Sequence, residues 1–185
     1  MSDVVADANR LARPSVLLKP GEAADALAAV WGGPGIVPSP DASLRHWLSV
    51  DCRFFPKGLG PGVGVLSVYT DDEKCSSGVA CHDPTARLSD REGERLTAEP
   101  GLSLPPPDAL EAGNDETYLR LWQENCPLYT DGAVAVLGGW HFPWPDGDWE
   151  ELRDRPLLLM TLRDSEPWVE VWGGPHGFEV LERIT

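Results

Sequence analysis

Basic residues are scarce in this chain. Of 185 residues only 15 are Lys or Arg, against 30 Asp or Glu, and the formal net charge is -15. Phosphate backbones are held by clustered Lys and Arg, which release condensed counterions. With no basic run anywhere, nucleic-acid binding is excluded as a main role. Long apolar runs are missing too: nothing approaches the roughly 18 consecutive apolar residues that a membrane-spanning helix requires. The opening MSDVVADANRLARPS has no basic segment ahead of an apolar core, so it does not read as an export signal. Cysteine is sparse: Cys52, Cys75, Cys81 and Cys126 are scattered and read as free thiols, not as a disulfide framework. Together these absences point to a cytoplasmic protein with no membrane role.

What the chain does have is Gly (19), Pro (18) and Trp (8). So many turn-forming residues imply long connections rather than a helical bundle. The length fits one domain, 1–185, with an N-terminal lobe over 14–70, a long surface loop over 71–113 and a C-terminal lobe over 114–185. The polar first 13 residues read as frayed. Residues 15–19 read as a short strand. A helix is expected over 22–31, because Ala23, Leu27, Val30 and Trp31 share one helical face. A second is expected from Ser39-Pro40-Asp41, with Leu44, Trp47 and Leu48 as its buried stripe, although alternation from Leu48 to Phe54 argues strand. Residues 63–70 read as a strand rich in β-branched side chains. Asn114 or Asp115 should cap a helix over 116–125, and strands are expected over 133–137, 157–162, 168–172 and 178–184. The expected class is α+β: a mostly antiparallel C-terminal sheet packed with two or three helices, with a long irregular central excursion.

The densest chemistry lies between Leu137 and Thr185, where Trp140, Trp144 and Trp149 sit in a Pro/Gly/Asp-rich connection and Trp168 and Trp172 flank a short strand. Trp140, Phe142 and Trp144 alternate, so extended backbone places their rings on one side. Pro143 and Pro145 keep the segment out of a central strand. Asp146, Asp148 and Trp149 follow. Such rings can close over the sheet as a lid, or stand as a recognition surface beside carboxylates, and Trp140, Phe142, Trp144, Asp146, Asp148 and Trp149 form the candidate binding site. Asp146-Gly147-Asp148 lacks the distal Glu of a calcium loop and reads as a turn. Cys75 and Cys81-His82 have the only metal-like spacing, without the second ligand pair that zinc needs. Cys126 and His141 are the only candidate nucleophile and base, and no motif ties them together. Asp164, Glu166 and Glu170 are close in sequence, but Glu170 reads as protection of a sheet edge. No catalytic residue, metal or cofactor is assigned.

The block GGWHFPWPDGDW with TLRDSEPWVEVW resembles the C-terminal region of small uncharacterised bacterial proteins. In general character (small, acidic, Trp-rich) the chain also resembles immunity proteins of bacterial polymorphic-toxin systems. That likeness implies a non-catalytic module that neutralises a basic protein partner, and it transfers no residue. The alternatives are a small-molecule enzyme or ligand-binding protein with its pocket between the lobes, and a structural homodimer.

Overall fold

The computed structural model describes residues 4–22, 25–71, 78–89, 93–110, 115–127, 130–141, 155–162, 168–174 and 177–183. Among these residues ten antiparallel strands form one sheet: β1 (Arg13–Pro20), β2 (Ala29–Trp31), β3 (Arg45–Asp51), β4 (Val65–Thr70), β5 (Gly78–Asp83), β6 (Glu94–Ser103), β7 (Ala135–Gly138), β8 (Leu157–Thr161), β9 (Trp168–Gly174) and β10 (Gly177–Arg183). Their order across the sheet is β10-β9-β8-β7-β1-β6-β2-β3-β4-β5. Two four-strand meanders are thus spliced together by β1 and β6. The sheet curls until its two ends meet, giving a nearly closed barrel. At the seam the His82 ring lies 6.3 Å from Phe178.

The helix-packed α+β expectation is therefore corrected. Only two short α-helices occur among the described residues, α1 (Val4–Leu11) and α2 (Glu116–Asn125). They pack on each other through Val4, Ala8 and Tyr118, so the described part of the frayed opening segment is an ordered helix. The central excursion is corrected as well, since it contains β5 and β6. β6 holds the splice between the halves, pairing with β1 along Arg13–Pro20 and with β2.

The inward face follows the two-residue period of a strand. Leu18, Leu96, Ala29, Val50, Leu66, Leu137, Leu159 and Val171 meet in one core cluster. Side chains fill the barrel, so its interior is a packed core. The residues expected as the first helix fail as a helix because their partners win. Ala28 donates its N–H to the Leu96 carbonyl at 2.9 Å and accepts from Asp51 N–H at 2.9 Å. The second expected helix is a turn closed by Asp41, whose carboxylate accepts from Ser43 N–H at 2.9 Å, and then β3. A register shift between His46 and Leu48 inserts an extra residue in β3. That bulge disrupts the alternation and produced the false helical spacing of Leu44, Trp47 and Leu48.

Candidate functional site

One end of the barrel is crossed by the β3–β4 connection, FPKGLGPGVG (residues 55–64). Gly58, Gly60, Gly62 and Gly64 all have positive φ, a conformation that L side chains resist. At Gly64 space adds to strain: a Cβ there would lie 2.1 Å from the Asp83 carbonyl oxygen. Cys52 N–H donates to the Gly64 carbonyl at 2.9 Å and pins the base of the loop. Phe55 is buried in the core and stoppers this end. On the other side, Gly138 lets the loop approach β7; a Cβ there would meet Leu59 and Pro56 at 2.9 Å.

Between this loop and the starts of β1 and β8 lies a cleft of about 510 Å³. Arg13, Lys57 and Arg155 line it with Pro56, Leu59 and Pro156, and among the described residues no carboxylate does. The three cations are held differently. Arg155 donates from Nη1 to Glu179 and from Nε to the Gly173 carbonyl at 3.2 Å, so its charge is matched. Lys57 stands exposed on the loop and has no carboxylate partner among the described residues. The Arg13 guanidinium lies 3.6 Å above the Trp140 ring. That ring is itself fixed, donating from Nε1 to the Leu11 carbonyl at 3.0 Å, while Trp140 N–H donates to Ser103 Oγ at 3.0 Å. Burial lowers the Arg13 pKa, and no acidic neighbour counters that effect. A guanidinium remains charged regardless. The stack on Trp140 contributes on the order of 0.5–2 kcal/mol.

Of the residues expected in the binding site, Trp140 is thus half-buried and braces Arg13. Phe142, Trp144, Asp146, Asp148 and Trp149 lie outside the described residues, as do Cys75, Asp164 and Glu166. Glu170 is fully buried and accepts from Trp172 Nε1 at 3.1 Å. Its strand β9 runs between β8 and β10, so the expectation that Glu170 guards a sheet edge is corrected. Cys81 and His82 are neighbours on β5 and so point to opposite faces. His82 Nε2 donates to the Val63 carbonyl at 2.8 Å. No group of three or more possible metal ligands occurs among the described residues.

The fold does bring Cys126 and His141 to one cavity, together with Trp122 and Met160. Its volume is about 10 Å³, the lower limit for a single water. Cys126 sits at the C-terminal cap of α2, where the helix dipole opposes a thiolate. Cys52 is further from reactivity: burial, then the Asp51 charge, pushes its thiol up to about 12.

Sequence reading missed a buried hydroxyl chain. His46 Nδ1 donates to the Gly32 and Gly33 carbonyls, both at 3.1 Å. Its Nε2 then accepts from Ser49 Oγ at 2.8 Å, and the Ser49 and Ser67 hydroxyls lie 2.7 Å apart. This mimics a nucleophile with its base. Both serines are fully buried, however, and they accept N–H groups from Ile36 and Val37. The chain ties residues 32–37 to the outside of β3 and β4 and offers a substrate no access. No sequence signal marks it, because the bulge hides which residues share a face.

Fold and site together define an antiparallel, side-chain-filled barrel with a cationic cleft at one end. No protein-family model matches the chain, and no curated protein matches it either. Among the described residues no helix is long and apolar enough to cross a membrane.

Proposed function

We propose that this protein works by binding, and that the cleft at the barrel end takes an anionic group. One observation carries the reading. In a chain with twice as many acids as bases, three cations line one cleft with no carboxylate beside them among the described residues, and Arg13, half-buried against Trp140, is matched by no acid among those residues. An exposed cation such as Lys57 contributes at most about 1 kcal/mol to an ion pair. A desolvated, stacked guanidinium holds an anion more firmly, because its geometry is preorganised and its charge less screened. Arg13 therefore anchors the ligand and Lys57 assists.

The test is titration with inorganic phosphate, read by NMR at the Trp140 indole N–H, whose ring lies against Arg13. A saturable shift is expected, weakened about tenfold or more in Arg13→Gln and less in Lys57→Gln. A shift that does not saturate, or that both variants leave unchanged, overturns the reading.

A second reading is docking to a basic protein partner, as the resemblance to immunity proteins implies. The net charge of -15 supports it, since an acidic surface steers a basic partner at low salt. In that reading the protein acts in the cytoplasm, which the free thiols of Cys52, Cys81 and Cys126 favour. Co-purification of a basic partner that high salt releases supports it, and a chain recovered alone or only as a homodimer counts against it.

A further inference from the structure

A second cleft, of about 640 Å³, adjoins the cationic one. The two share Arg155 and Pro156, and the same loop lies over both, Pro56–Leu59 against the first and Gly60–Pro61 against the second. The second is apolar where the first is charged. Pro61, Pro156, Leu158 and Phe178 form its walls with the His82 ring, whose Nε2 is taken up by the Val63 carbonyl, and Gly173, Gly174 and Gly177 line the β9–β10 side. The glycines keep that side flat. At Gly173 a Cβ would lie 2.9 Å from Pro156, and at Gly174 it would lie 3.3 Å from Arg155 Nη2. Glu179 matches the Arg155 charge, so the shared residue does not carry cationic character into the second cleft. Each volume falls within the roughly 300–1,000 Å³ of small-molecule sites.

We propose that the two clefts are the head and tail subsites of one site for a small amphipathic anion, a carboxylate bearing an apolar body. The head lies between Arg13 and Lys57, and the body crosses Pro156 to rest between Pro61 and Phe178. This rests on the anion-binding reading above and adds the class of ligand. The order of the subsites follows from charge: the two cations with no acidic partner among the described residues line only the first cleft, and the apolar walls dominate the second.

Calorimetry of the full chain with octanoate, 1-octanol and acetate tests it. Octanoate is expected to bind about tenfold or more tighter than either acetate, which lacks the body, or 1-octanol, which lacks the charge. Gly174→Leu, which fills the second cleft, should bring octanoate down to the level of acetate and leave phosphate binding unchanged. Pro61→Asn on the exposed loop, which removes apolar wall without adding charge, should do the same, and covers the case in which Gly174→Leu fails to fold. Lys57→Gln should weaken both octanoate and phosphate. Octanoate binding no tighter than acetate, with phosphate still bound at Arg13, overturns the tail subsite and leaves the anion site standing. Equal binding of 1-octanol and octanoate, insensitive to Lys57→Gln, overturns the link between the two. Loss of phosphate binding itself is a failure of the anion-binding reading.

Discussion

At the scale of single residues, His46 shows how burial sets protonation. Burial lowers its pKa below the ordinary value of 6.5, against the smaller opposing effect of the hydrogen bonds to Gly33 and Gly32. The folded state thus favours neutral imidazole, which lets Nε2 accept from Ser49. Its contribution to stability is fully present above pH 6.5 and is lost as pH falls through the lowered folded value, because the unfolded chain takes up the proton first. We expect the melting temperature to fall as the pH drops below about 6.5, and His46→Gln to flatten that slope. The variant should also lose roughly 1–3 kcal/mol at pH 7.5, since the buried Ser49 and Ser67 hydroxyls lose part of their chain. Thermal melts of both proteins across pH check this, and an identical slope would rule out His46 as the titrating group.

At the scale of elements, local signals succeeded where an element is closed by its own neighbours. Helix α2 is such a case. Asp115 caps it, its carboxylate accepting N–H groups from Thr117 at 2.9 Å and Tyr118 at 3.2 Å, and Tyr118 is the buried contact. Asp115→Ala should cost about 1 kcal/mol in chemical denaturation, and Asp115→Ser much less; equal losses would mean that the cap is not the cause. Strands β4, β7, β8, β9 and β10 were legible for a related reason, as β-branched or apolar runs between turn residues. β6 was not. It turns only Leu96 and Ala98 inward from its middle, and carries Glu94, Arg95, Glu99 and Pro100 besides. Its strand conformation is imposed by β1 on one side and β2 on the other. β2 is three residues long and carried no period of its own to read.

At the scale of the whole molecule, closure depends on small residues where β5 meets β10. A Cβ at Gly78 would lie 2.2 Å from Val180 Cγ1. Gly78→Val should therefore destabilise the protein by about 1–3 kcal/mol through overpacking. Val180→Ala in the same chain should recover part of that loss, a coupling that a double-mutant cycle measures. Additive losses would mean that the two strand faces do not press on each other.

The same closure assembles the proposed site. Arg13, Lys57 and Arg155 are far apart in the chain, and nothing in their local sequence joins them. They meet because β1 crosses the middle of the sheet, the β3–β4 loop folds over the barrel's end, and β8 starts beside it. The sequence by itself determined the acidic balance, the helix capped by Asp115, the C-terminal meander and the glycine-rich turns, all of which rest on neighbours within a few residues. Only the tertiary structure decided that β6 is a strand, that Trp140 braces an arginine and that three scattered cations face one cleft. Those outcomes depend on hydrogen-bond partners and packing surfaces supplied from elsewhere in the chain, and local composition carries no record of them.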